Sequence, residues 1–273
     1  MGRRRESGPD ARAAAQDRRY VTALARGLEV LRCFTPRDRW LKHQEIARRS
    51  GLPASTVSRL TFTLAALGYL RHREPSGEYA LAPAVLALGF SMLSNFDIGR
   101  IARPWMQAMA DHAQAAISLG VRRELSMVYV AHCRSSARLT LGLDVGTRLP
   151  LANTAMGRAV WCGLQVAERE RLSARLAEEQ PEAWPALRDG LARALEQHAR
   201  CGYVTSEAEW ESEISAAGVP LDLGDSREPL GLTCGGPASR LQGALLHEDF
   251  APRLVETAQR ITAAIQGAQW ADD

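Results

Sequence analysis

Three hydroxyls and a guanidinium cluster in one short segment: Ser55, Thr56, Ser58 and Arg59. Wound as a helix over 54–67, the segment turns Ser55, Ser58, Arg59 and Phe62 outward on one side. Small hydroxyls bond phosphate oxygens or base edges, and an arginine reaches guanine with two parallel bonds. These residue types at this spacing suit reading of a DNA duplex better than catalysis. A second basic cluster, Arg71, His72 and Arg73, follows within one turn of chain and suits phosphate contact.

Local signals supply the elements that must carry these groups. In Ser50-Gly51-Leu52-Pro53, glycine can take the left-handed conformation that ends a helix and proline cannot extend one. A second helix then resumes at Ala54, with Ser55 or Thr56 able to cap it. Val57, Leu60, Leu64 and Leu67 fall on one helical face and are predicted to be its buried stripe. Tyr69 to Arg73 and Glu78 to Leu81 read as strands joined by Glu74-Pro75-Ser76-Gly77. Upstream, Thr22 is placed to cap a support helix with Leu24, Leu28, Leu31 and Phe34 on one face, ended by Pro36. Helix, glycine turn, longer helix and basic hairpin together make a winged helix-turn-helix. The competing reading is a three-helix structural domain without a nucleic-acid partner.

The rest of the chain sets bounds. Its 273 residues suffice for about two domains, and a 46% hydrophobic fraction is that of an ordinary globular protein. The net charge of +3 is split: residues 1–90 carry 16 Arg and Lys against 8 Asp and Glu, and the remaining 183 carry 18 against 23. A polyanion contact therefore belongs at the N-terminal end. No apolar run is long enough for a membrane helix, and the charged start lacks the apolar core of a secretory signal. Five scattered cysteines without a CxxC pair argue against a disulfide framework or zinc site and for a reducing cytoplasm. GxSxG, P-loop, GxGxxG and HExxH motifs are all missing, and the six histidines show no metal-ligand spacing. No catalytic residue, metal site or cofactor is expected. His132 and Cys133, adjacent on one strand, point to opposite faces and make no dyad.

Residues 1–19 read as a disordered basic arm, either a solvated tail or one in which Arg3-Arg4-Arg5 and Arg18-Arg19 reach DNA. Residues 20–83 form the DNA-binding domain. An apolar helix over 84–96 must bury most of its surface, on its own domain or on a second copy. It is read as the linker and a dimer contact. Residues 97–267 mix helices and strands. A helical stripe of Ile98, Ile101, Trp105 and Met109 is followed by strands over 116–121, 127–133 and 138–143. Helices over 154–163, 166–177 and 187–200 come next, then strands over 203–206, 214–221 and 229–234 and a helix over 249–265. That order predicts an α+β domain with a largely antiparallel sheet.

The chain is similar to the IclR (isocitrate lyase regulator) family of bacterial transcription factors from about residue 20 to 265. The resemblance rests on ALARGLEVLRCF (23–34), EIARRSGLPASTVSRL (45–60), LGYL (67–70), YALAPAVLALG (79–89), VGTRLPLANTAMGRAV (145–160), Gly202-Tyr203 and GGPASR (235–240). It implies a winged helix-turn-helix, a linker helix and a GAF-like effector-binding domain, assembled as dimers or tetramers on operator DNA that is typically pseudo-palindromic. ARGLEV with a TAMGR-type segment resembles regulators of aromatic-acid catabolism.

The resemblance also implies an effector pocket. Its helix N-terminus falls at Thr154, Ala155, Met156 and Gly157, where free N–H groups meet a carboxylate. The family's acidic position falls at Ser206, its pocket cysteine at Ala216, and its two strand hydroxyls at Thr233 and Gly235. Three of these four have lost the group that holds a small oxo-acid. A roomier, less polar cavity follows, and with it an aromatic or other hydrophobic carboxylate as effector. Trp161 and Trp210 are either its aromatic walls or simply core. On the DNA side, Ala54 stands where the family usually has a basic residue and Phe62 where a polar one is common, which puts phosphate affinity in question. The groove contacts expected are Ser55, Thr56, Ser58 and Arg59, with Arg71 and Arg73 on the backbone. The alternative is a downstream domain that only oligomerises, without a small-molecule effector.

Overall fold

A computed structural model of the chain describes residues 17–35, 38–94, 97–135, 142–224 and 228–269. The chain divides into two compact units, 1–95 and 96–273. The arm expected over 1–19 lies outside the described residues except for 17–19, where Arg19 pairs with Asp17.

The first unit holds α1 (Thr22–Arg32), β1 (Leu41–Lys42), α2 (His43–Ser50), α3 (Ala54–Ala66), β2 (Leu70–Arg73), β3 (Glu78–Leu81) and α4 (Pro83–Ser94). Gly51 caps α2 with φ 67°, so the tight turn has the left-handed geometry its glycine allows. β1, absent from the sequence reading, joins the hairpin in a three-stranded antiparallel sheet ordered β1-β3-β2.

Three expectations for this unit need correction. Neither Thr22 nor Ser55 nor Thr56 caps a helix: the N-caps are Val21 and Pro53, without side-chain capping bonds. The buried face of α1 carries Gly27 and Val30, with Leu31 and Phe34 half-buried, while Leu24 and Leu28 are exposed. Gly27 faces Leu60 of α3, so the side of α1 that packs is not the face its leucines suggest. In α3, Leu67 lies past the last turn and is exposed, and Thr61 takes its place in the core. The Thr61 hydroxyl donates to the Val57 carbonyl at 2.9 Å and approaches that of Ser58 at 3.1 Å, so it is buried without an orphan donor.

The second unit runs α5 (Asp97–Ala113), β4 (Ala116–Arg123), β5 (Ser126–Arg134), β6 (Arg148–Pro150), α6 (Ala155–Gly163), α7 (Val166–Glu179) and α8 (Trp184–Cys201). It continues with β7 (Val204–Glu207), β8 (Ile214–Leu221), β9 (Leu230–Pro237), a π-helical turn (Leu245–Phe250) and α9 (Ala251–Gln269). Six antiparallel strands order as β6-β5-β4-β9-β8-β7. The strand read over 138–143 is not formed at Gly142 and Leu143, and its remaining residues lie outside the described ones. The α5 face is also rotated: Ala102, Met106, Met109, Ala110 and Ala113 are buried, while Ile98, Ile101 and Trp105 are half-buried. α5 and α9 pack on each other and on the sheet, and α6 packs on β7, β8 and β9. The fold is α+β, with its antiparallel sheet between helices.

Candidate functional site

On the first unit, Ser55, Ser58 and Arg59 are exposed on α3 and Thr56 is half-buried beside them. Phe62 on the same helix is 75% exposed. α2 is fastened to the segment preceding it by Arg49, which donates to Asp38 (2.6 Å), Glu45 (2.6 Å) and the Cys33 carbonyl (2.9 Å). Bonds from Arg48 and Arg49 hold the Glu45 carboxyl at about 2, well below the ordinary carboxylate range. On the wing, the Arg73 guanidinium stacks over Trp40 at 4.0 Å and that of Arg71 lies 5.5 Å from the same ring. Sequence reading missed Trp40; its distance of some thirty residues from the wing leaves no local signal. His72 stacks on Tyr79 at 4.6 Å.

On the second unit, a cavity opens at the N-terminus of α6. Of the eight positions carried over from the resemblance, Thr154, Ala155, Met156, Ser206, Ala216, Thr233 and Gly235 line it, and Gly157 does not. Gly157 lies under the helix, where any side chain would strike the Leu151 carbonyl. About 510 Å³ there is free of protein atoms when the open solvent at the mouth is included, and the enclosed part is about 40 Å³.

Its floor is built from successive rungs of the sheet. On one, Gly120 pairs with Gly231; on the next, Gly218, Thr233, Ser118 and His132 pair in turn; on a third, Gly235 lies between Ala116 and Ala216, and Ala216 pairs with Ser206. The glycines let α6 settle onto the sheet: side chains at Gly120 and Gly231 would overlap Met156, and one at Gly218 would overlap the Ala155 carbonyl. Beyond the helix end the floor is uncovered, and on its third rung nothing larger than a methyl group rises until Ser206.

The polar groups are arranged around that floor. Thr154 caps α6, accepting from the Gly157 N–H at 3.1 Å and donating to the Pro150 carbonyl at 2.7 Å. The Arg158 N–H goes to the Thr154 carbonyl at 2.9 Å. The first two N–H groups, of Ala155 and Met156, are what the helix end offers a guest. Ser206 donates to the Asn153 carbonyl at 2.8 Å. Trp210 contributes to the wall, whereas Trp161 is buried in the neighbouring core, so each tryptophan takes a different one of the two roles open to it.

Sequence reading missed Ser118, Tyr129 and His132. A register shift between Leu119 and Gly120 leaves Val130 as the extra residue of a β-bulge. Tyr129 and His132, three apart and nominally on opposite faces, thereby both face the cavity, with rings 6.0 Å apart. Cys133 lies on the other face, near Arg103 and Asp111 of α5. Burial and the nearby Arg134 depress the pKa of His132, so its imidazole is neutral near pH 7. Among the described residues, no three His, Cys, Asp or Glu side chains group as metal ligands, and no helix is long and apolar enough to cross a membrane.

Behind the cavity, Arg158 is held by Glu209 (2.6 and 2.7 Å) and donates to the Thr205 carbonyl at 3.0 Å and the Ala152 carbonyl at 3.2 Å.

Comparison with known proteins agrees with both units. HTH-type transcriptional regulator TsaQ1/TsaQ2 of Comamonas testosteroni is 34% identical over 251 residues, 91% of this chain and 90% of its own. The crystal structure of an IclR family transcriptional regulator from Brucella abortus, 43% identical, aligns with a TM-score of 0.83 over 94% of this chain and 97% of that one. An IclR homolog from Microbacterium hydrocarbonoxydans, crystallised in complex with 4-hydroxybenzoate, is 21% identical; its TM-score is 0.71 over 90% of this chain and 100% of that one. Residues 23–74 match the IclR helix-turn-helix domain and residues 90–263 the C-terminal domain of bacterial transcriptional regulator IclR. With both domains matched in order along one chain, this protein belongs to the IclR family of bacterial transcriptional regulators.

Proposed function

We propose that the protein is an effector-controlled, cytoplasmic operator-binding regulator whose second unit senses an aromatic or other hydrophobic carboxylate. It acts as a DNA switch, without catalytic residue, metal or cofactor. Ser55, Thr56, Ser58 and Arg59 read the major groove, and Arg71 and Arg73 hold the backbone from the wing, steadied by Trp40. The effector's carboxylate sits at the Ala155 and Met156 N–H groups, and its body lies over Ala116, Gly235 and Ala216 toward Trp210. The observation that carries this reading is the helix end opening onto an uncovered, largely apolar floor. A small oxo-acid finds beside the helix end the Thr154, Ser206 and Thr233 hydroxyls, and those of Thr154 and Ser206 already donate to the Pro150 and Asn153 carbonyls.

The chain works as a dimer or tetramer. α4 presents exposed apolar side chains in the single chain, with Leu86 at 74% and Phe90 at 67% exposure, and a second copy covers them. The ligand changes operator affinity by the difference in its own affinity for the protein's two arrangements, typically about 1–3 kcal/mol.

Calorimetry with benzoate-type acids against glyoxylate and pyruvate, paired with operator titrations, tests the proposal. Binding of the aromatic acids with a shift in operator affinity supports it. Binding of glyoxylate or pyruvate alone overturns the ligand class, and an operator affinity indifferent to every acid overturns sensing.

A further inference from the structure

The outward face of α3 has an aromatic side chain among its polar ones. At about 100° per residue, Ser58 lies about 40° to one side of Phe62, and Ser55 and Arg59 lie about 20° and 60° to the other. Val57, Leu60 and Leu64, which pack into the core of the first unit, lie about 140–160° away. Phe62 is therefore not at the margin of the buried stripe but across the helix from it, and it is 75% exposed.

Past Arg59 the helix has little else to offer a duplex. The Thr61 hydroxyl donates to the Val57 carbonyl and the Thr63 hydroxyl to the Arg59 carbonyl, each at 2.9 Å and each within α3. Ala66 and Leu67, the exposed residues that follow, have no hydrogen-bonding side chain. The second half of α3 thus presents no uncommitted side-chain donor, only apolar surface led by the Phe62 ring. Base edges in the major groove carry one apolar group, the C5-methyl of thymine.

We infer that Phe62 is a specificity-determining residue whose ring packs on the methyl group of an operator thymine. Arg59 lies three residues earlier, about 4.5 Å along the helix axis, so this thymine falls within about two base pairs of the base that Arg59 meets. The inference rests on the operator-binding reading above and adds a base that reading does not assign. A protein partner on this face would have to strip water from Ser55, Ser58 and the Arg59 charge together with the ring. A major groove instead supplies acceptors to the hydroxyls and guanidinium and a methyl group to the ring.

Selection of duplexes from a random library by the full-length protein, by Phe62→Ala and by Arg59→Ala tests this. The unaltered protein should select an A·T pair that Phe62→Ala no longer prefers, within about two base pairs of the position relaxed in Arg59→Ala. Replacing that thymine with deoxyuridine removes only its methyl group. Binding of the unaltered protein should weaken about fourfold for each thymine replaced, and that of Phe62→Ala should not change. An affinity unmoved by deoxyuridine at every position, or an unchanged preferred site in Phe62→Ala, overturns the thymine contact. An altered site in Arg59→Ala would then leave operator reading by α3 standing. Failure of the unaltered protein to enrich any sequence overturns operator reading and this inference with it. The deoxyuridine scan uses the unaltered protein, so it decides even if Phe62→Ala does not fold. A smaller oligomer for Phe62→Ala in sedimentation would mean that the ring packs on a second copy, and overturns the inference.

Discussion

Arg158 and Glu209 form a two-bond bridge, Nη1 to Oε1 at 2.6 Å and Nη2 to Oε2 at 2.7 Å, that ties the first turn of α6 to the loop carrying Trp210. The Arg158 side chain is only 6% exposed and that of Glu209 39%, so the pair is half in water. One contact thus fixes both the α6 end of the cavity and the loop that brings Trp210 to its wall.

Glu209→Gln should destabilise the second unit by about 1–2 kcal/mol. That is below the roughly 3–5 kcal/mol of a fully buried pair because water screens the Glu209 side. The bridge to Arg158 lowers the Glu209 pKa. The native protein therefore holds this carboxylate ionised where the unfolded chain protonates it, and its contribution is present above the ordinary carboxylate range and fades as pH falls through the lowered value. Denaturant midpoints of wild type and Glu209→Gln at pH 7 and near pH 3 check this: the gap should shrink in acid.

Arg59→Ala should cost roughly 1–3 kcal/mol of operator affinity if its guanidinium grips guanine, with relaxed preference at one base pair. Arg71→Ala should weaken binding to all sequences and reduce the salt slope by about one. Trp40→Ala should resemble the wing arginine change, since it removes the ring on which both guanidinia rest. Fluorescence anisotropy across a salt series distinguishes the two patterns.

Gly218→Ala should be far more harmful than a surface glycine change. Its methyl group would overlap the Ala155 carbonyl, a backbone atom that cannot swing aside. A loss of roughly 3 kcal/mol or more, at the top of the overpacking range, is expected in thermal unfolding. Ala216→Leu, on an uncovered rung of the same strand, should instead preserve folding and operator binding while blocking aromatic acids. Calorimetry would show the heat of binding vanish.

Acid should also loosen the helix-turn-helix. Glu45 is held at about 2 by Arg48 and Arg49, and Asp38 is lowered by Arg49 and Thr35. Both groups have depressed native pKa values, so their contribution is complete above the ordinary carboxylate range and is lost as pH drops toward 2. Hydrogen exchange of α2 amides in the intact chain should accelerate over that window, and Glu45→Gln should flatten the dependence.

Much was legible because it is local. Gly51 and Pro53 punctuate the turn between α2 and α3, and Gly202 ends α8 at φ 75°. Each depends on a backbone preference that needs no distant partner. The apolar faces were harder. Leu24 and Leu28 have the right period yet face outward, because α1 meets α3 along its Gly27 and Val30 side. Thr61 enters the core because its own helix satisfies its hydroxyl.

Residue types and short-range order determined the elements, the basic N-terminal third and the outward hydroxyls of the second helix. Only the tertiary structure decided that Trp40 lies under Arg73, that Trp210 rather than Trp161 walls the cavity, and that Ser118 stands between His132 and Thr233. The physical reason is register. A strand alternates its faces every residue, so a single bulge at Val130 reassigns side chains to the opposite face, and strand pairing across a hundred residues has no trace in local spacing.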